Sequence, residues 1–317
     1  MRSPIPPTGV AATVFAVLSP LLGLLTPLAS AQNLQALKDY SVIISGDFTT
    51  SSEVEGRTMV GGNLNGGNSA NFAIKLQNQV PSSDLTLRVA GNIGSGNSLN
   101  VNAGSIELGG TLSRSVNYNG GGHLVSNPGV SYADTFAALN DASHLLSGAT
   151  ANSTASIPSG QPGPLNFNAI PNAAGLATFN VAGALVFNNS SVQQLQINAS
   201  TATDIVINVS GTVINWTSGN LVGLFTQNYW RSNIVWNFYQ ATSVNFGSYN
   251  MMGQVLAPNA DVTTNGNIDG SIYAKSLTTG SEVHLPGYAG NATVPEPTAP
   301  LVIGLLGGLL VLRRRRC

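Results

Sequence analysis

Cysteine is nearly absent: the 317-residue chain has one, Cys317, at its last position. A disulfide framework is therefore excluded. A chain of this length must be held by an apolar core or by a repeated backbone ladder. Charge is scarce as well, at 8% of residues. Of the 12 Lys and Arg residues, Arg2, Arg313, Arg314, Arg315 and Arg316 sit in the terminal segments. The rest (Lys38, Arg57, Lys75, Arg88, Arg114, Arg231 and Lys275) are scattered among 13 acids, a balance of −6 without the terminal cations. No basic patch forms, so nucleic-acid binding lacks its electrostatic footprint.

Histidine is limited to His123, His144 and His284, none of them at a metal-ligand spacing such as H-x-x-x-H. No Gly-x-Ser-x-Gly occurs, which leaves a nucleophile elbow unsupported. Gly91, Gly94 and Gly96 are turn material, without the strand–helix setting of a dinucleotide site. No catalytic residue, cofactor or metal ligand is assigned, and a non-enzymatic protein is expected. What abounds is glycine, 36 residues of it, with Asn, Ser and Thr set among frequent Val, Ile and Leu. Low charge with regular apolar residues argues for a folded, β-rich exported chain and against disorder.

Both ends read as addresses. Arg2 is followed by an apolar stretch from Val10 to Leu28, then Ala29-Ser30-Ala31 before Gln32. A charged start, an apolar middle and an A-x-A site describe a signal peptide over 1–31, cut after Ala31. Pro20 and Pro27 would interrupt a buried helix there. At the other end, Pro295-Glu296-Pro297 precedes an apolar segment over 298–312 and a basic tail over 313–316. The segment gives about 22 Å of helix at about 1.5 Å per residue, short of the roughly 20 residues that cross a bilayer comfortably. Its arginines would hold the end at the cytoplasmic headgroups.

That order resembles the PEP-CTERM sorting signal of Gram-negative bacteria that make exopolysaccharide. The resemblance implies an exosortase-type membrane protease as partner and export through the inner membrane. It also implies a transient transmembrane helix and trimming near Pro295, with a retained anchor as the alternative.

The body, 32–290, repeats a pattern of apolar, any, Gly, any, apolar. It is centred on Gly46, Gly62, Gly91, Gly110, Gly183, Gly211, Gly223, Gly253 and Gly270. In a strand, alternate residues share a face, so each glycine is expected on the buried side between two apolar neighbours. Leu85–Val89, Ile205–Val209 and Ile234–Phe238 alternate in the same way. The expectation is an all-β, right-handed β-solenoid (β-helix) with uneven rungs. One flanking helix is expected at about 131–147. Ser131 would be its N-cap in a capping box with Asp134, Tyr132, Phe136, Leu139 and Leu146 would form its apolar stripe, and Gly148 would end it. Residues 149–171, rich in Ser, Pro and Gly, read as a loop.

Tyr40 to Phe48, Val54 to Leu64 and Gly253 to Asp261 resemble the opening and closing motifs of the choice-of-anchor A domain. That resemblance implies a surface-attached domain, adhesive in some members, and transfers no ligand site. The function expected is adhesion at the cell surface or in a biofilm matrix of exopolysaccharide. A polysaccharide-degrading β-helix enzyme is the alternative, and an ice-binding protein a weaker one, since only Thr201-Ala202-Thr203 has the Thr-x-Thr form. Glu53 with Glu55, and Asp261 with Asp269, are acid pairs that could hold Ca²⁺ or serve acid–base cleavage, although solvated corners suit them better. Tyr229, Trp230 and Tyr239 are the candidates for stacking on sugar rings, while Trp236 and Phe238 alternate in phase with Ile234 and belong to the core.

Overall fold

A computed structural model describes residues 34–292. The signal-peptide site at Ala29 and Ala31 and the sorting signal from Pro295 to Arg316 lie outside the described residues. Among the described residues no helix is long and apolar enough to cross a membrane.

The strands are short and many of them alternate. Ala70–Phe72 and Leu99–Val101 each bury two apolar residues around an outward Asn, as period-2 geometry requires. Others, such as Val42–Ile44 and Thr58–Val60, are buried on both sides. That marks a sheet covered on each face. The strands form open sheets of 14, seven and four members, and the molecule is mostly β with long parallel ladders.

The chain enters the large sheet in its middle. Val42–Ile44 lies between Thr58–Val60 on one side and Ile272–Thr279 on the other, parallel to both. From there the path runs outward through Leu85–Val89 and Ser105–Leu108 to the edge strand Leu124–Ser126. It resumes at the opposite edge with Leu176–Ala182 and runs inward through Asp204–Ser210, Ile234–Asn237 and Gln254–Thr264. The two halves therefore meet at a central seam, where Val42 opposes Ile272, Phe48 opposes Leu277 and Val54 opposes Val283.

The long helix, Ala133–Ser147, straps the halves together across the outside of the large sheet. Tyr132 Oη donates to Glu107 in the first half, and Asn208 Nδ2 in the second donates to the carbonyl of Leu146. Beneath it Leu139, Ala142 and Leu146 pack on Ile43, Val235, Leu256 and Tyr273 to form a second, smaller core. The main core lies between the sheets. It is largely aliphatic in the first half and aromatic in the second, where Trp236 stacks on Phe225 at 5.6 Å and Phe167 meets Phe179 edge-on at 5.2 Å. Stacked asparagines are 28 and 29 residues apart at Asn180, Asn208 and Asn237, but 17 apart where Asn267 meets Asn250.

Several expectations need correction. The patterned glycines do not sit within strands: Gly46, Gly62, Gly91 and Gly110 occupy one corner between strands, stacked by backbone bonds of 2.8–3.0 Å. A Cβ on Gly91 would lie 2.4 Å from the carbonyl oxygen of Gly62, closer than such contacts allow. Gly183 and Gly223 instead open short helical turns, so the pattern marks sharp bends of more than one kind.

The long helix starts at Ala133 with Tyr132 at the N-cap position, and no capping box forms. Ser131 Oγ accepts only the Ala133 N–H, at 3.3 Å. Short helices Gln35–Asp39, Gly183–Val186 and Asn228–Asn233 accompany it. The expected loop at 149–171 contains an antiparallel pair, Thr154–Ser156 with Gly163–Asn168. There Leu165 and Phe167 supply buried alternation despite the Pro and Gly around them.

Candidate functional site

The uncovered part of the large sheet presents ordered polar rows. In register along it stand Asn215, Asn245, Thr263, Thr278, Thr49 and Asn65. Each has a buried neighbour pointing inward, from Ile214 and Val244 to Phe48 and Leu64. Strand spacing sets these side chains about 4.8 Å apart.

A second row begins with Ser243, Asp261 and Ser276. It continues through Asp47, Asn63, Asn92 and Thr111, in which each oxygen accepts the next backbone N–H at 2.7–2.9 Å. These ladders satisfy the corner amides and fix the side chains in one orientation. Hydrogen bonds from Ser276 Oγ at 2.7 Å and Lys275 Nζ at 3.1 Å outweigh burial and hold the Asp261 carboxyl below the usual carboxylate range.

The seven-stranded sheet carries a parallel ladder. Asn71, Asn100 and Asn117 each donate an amide N–H to the residue before, beginning at Glu53, over 2.9–3.3 Å. Across the seam on the same sheet lies an ionic cluster. His284 places Nδ1 2.7 Å from Asp269 and Nε2 2.5 Å from Glu282, while Arg231 stands 3.4 Å from the other Asp269 oxygen. Burial works against charge on the ring. The two carboxylates outweigh it, with a smaller contribution from Glu55, and raise the His284 pKa above its ordinary value. With both ring nitrogens facing acceptors, the imidazolium is the form that satisfies the geometry.

The expected acid pairs do not assemble. The strand ends at Val54, and Glu55 turns to accept the Leu285 N–H at 2.8 Å. Asp261 and Asp269 lie on different sheets. Among the described residues no group of three or more His, Cys, Asp or Glu side chains could hold a metal ion.

Trp236 and Phe238 are fully buried, as the alternation indicates. Trp230, expected at the surface, is instead 8% exposed and belongs to the main core, because the short helix Asn228–Asn233 turns it inward. Tyr229 is 52% exposed, meets Trp230 edge-on at 5.0 Å and bonds the carbonyl of Thr203. Tyr239 lies apart from both, half-buried beside the long helix.

Sequence reasoning missed the polar rows. Their signal is the residue after each stacked corner glycine: Asp47, Asn63, Asn92 and Thr111. A search along single strands for Thr-x-Thr overlooks threonines aligned across strands, such as Thr263, Thr278 and Thr49.

The fold and its faces define a class: a laddered β scaffold that displays rows of oriented, mostly uncharged polar groups. Residues 33–285 match the family described as "Putative Ice-binding-like adhesive domain", and the chain belongs to that family. An adhesive domain is consistent with a surface adhesive protein and with a cell-surface or extracellular location. No curated protein and no solved structure matches the chain.

Proposed function

We propose that the protein is an exported, non-enzymatic adhesin that binds exopolysaccharide through the uncovered polar rows. The carrying observation is the register of Asn215, Asn245, Thr263, Thr278, Thr49 and Asn65 on one rigid face. Each hydroxyl or amide makes a weak contact with a sugar hydroxyl, and many contacts along one polymer sum to avidity. A preformed ladder loses little side-chain freedom on binding, which lowers the cost of association.

The stacked coils are read as a right-handed β-solenoid, since parallel crossovers take that hand in about 98% of cases. In this reading the choice-of-anchor A-like domain, 32–290, is exported by its signal peptide. An exosortase-type protease trims it in the 291–317 segment, and it is delivered to the surface or matrix of a biofilm.

The test is retention of matrix polysaccharide by the purified mature protein, and recovery of polymer from cells with and without it. Replacing Thr278 and Thr49 together by Lys should cut retention about ten-fold while leaving the melting temperature within a few degrees, since both lie on the outer side of the sheet. Equal polymer recovery with and without the protein would overturn the reading. Release of reducing sugar would favour the polysaccharide-degrading enzyme instead.

The Thr263, Thr278 and Thr49 alignment also favours a second reading, ice binding. The row passes to Asn on both sides, and Asp261 and Lys275 place charge near it. Thermal hysteresis by the purified protein would decide for ice.

A further inference from the structure

At the corner between the helix-covered and uncovered parts of the large sheet, a turn and an irregular stretch of strand lie beside the second half of the long helix. One carries Tyr239, following the strand Ile234–Asn237. The other is a break in the ladder between Ala257 and Asp261, which carries Pro258 and Asn259. Between these two segments and Asn140, His144 and Ser147 of the helix lies a groove of about 210 Å³.

The groove is small against the roughly 300–1,000 Å³ of sites for drug-sized molecules. It suits one ring. Its floor includes the buried Pro258, and Tyr239 offers a half-exposed aromatic face. Asn140 accepts the Tyr273 hydroxyl at 2.8 Å through Oδ1, which leaves its amide N–H groups available. Among the described residues the side chains of His144, Tyr239 and Asn259 make no hydrogen bond. Donors, acceptors and one aromatic side chain therefore line a space that has no carboxylate, ammonium or guanidinium in its lining. The cleft at the helix's other end differs, being lined by Asp39, Asp134 and Arg88.

The geometry points to this groove as a subsite for a single neutral pyranose ring, such as a chain end or branch of a polysaccharide. The ring's apolar C–H face rests on Tyr239, and its hydroxyls are met by Asn140, His144 and Asn259. An uncharged lining disfavours a uronate or an amino sugar, whose charge would be partly desolvated without a partner. The assignment rests on the adhesive reading for its choice of ligand and uses a surface separate from the polar rows.

Ligand-observed NMR titration of the mature protein with methyl hexopyranosides, glucuronate and glucosamine tests it. The expected result is millimolar binding of at least one neutral glycoside, weakened about five-fold or more in Tyr239→Ala and within about two-fold of wild type in Tyr239→Phe. Asn259→Ala, at an exposed position in the irregular stretch of its strand, is a second variant and should weaken binding with the fold intact. Failure of every neutral glycoside to bind, tighter binding of the charged sugars, or indifference to Tyr239→Ala would each overturn the subsite. Thr278→Lys with Thr49→Lys should leave glycoside binding unchanged. Polymer retention lost in that variant but unaffected by Tyr239→Ala would sink the subsite and spare the adhesive reading. Glycoside binding by a protein that retains no polymer would do the reverse.

Discussion

His284 is held between Asp269 and Glu282, with Glu55 and Arg231 as the other charged groups facing the cluster. It lies at the seam, where Val283–His284 pairs with Glu53–Val54. The folded protein holds the imidazole proton more tightly than the unfolded chain does. The resulting stabilisation is complete below about pH 6.5, the ordinary His value, and is lost as pH rises through the higher folded value. His284→Gln should therefore melt below wild type in mild acid, and the two melting curves should converge as pH is raised past that window. A gap that stays constant across the titration would show that the ring acts by packing alone. At the stacked corner, where Cβ on Gly91 has no room, backbone shape rather than charge is the constraint.

The long helix shows what one element needs beyond an apolar stripe. Its inner face meets buried Asn208 and Asn237, which bond each other at 2.9 Å and donate to the carbonyls of Leu146 and Ser143 at 2.8 Å. Ser143 Oγ returns a bond to Asn237 at 2.5 Å. Asn237→Ala would leave the buried Ser143 carbonyl and hydroxyl and the Asn208 oxygen short of partners. The expected cost is about 1–3 kcal/mol, measured by urea denaturation. A cycle with Ser143→Ala should show coupling, and strict additivity of the two changes would deny the network.

The helix itself was legible from Tyr132, Phe136, Leu139 and Leu146. Its dock was not, because Asn180, Asn208 and Asn237 resemble turn residues until parallel pairing aligns them across separations of 28 and 29 residues. Trp230 failed for a related reason. The short helix Asn228–Asn233 sets its direction, and the strand pattern around Ile234 does not announce that helix.

At the scale of the molecule, the chain's two described ends are brought to the centre and its middle forms the outer edges. Coiled repeat proteins stack by nearest-neighbour contacts and fray from their ends. Alternation along single strands reveals the strands but not this order, since nothing local states that Val42 will pair with Ile272, 230 positions on. The consequence is that the least protected strands should come from the interior of the sequence. Leu124–Ser126 has a partner on one side only and leaves Leu124 38% exposed, whereas Val42–Ile44 is flanked on both sides and fully buried. The opposite edge, at Leu176–Ala182, is backed by the aromatic core through Phe179 and should open later. Hydrogen exchange followed by mass spectrometry should therefore show Val116–Tyr118 and Leu124–Ser126 exchanging first among the strands. The strands Val42–Ile44 and Ile272–Thr279 should exchange last. The long helix should follow the seam rather than the edge, because its carbonyls are held by Asn208 and Asn237. Protection that rose steadily from the two described ends toward residue 124 would contradict the central seam and the order of strands built on it.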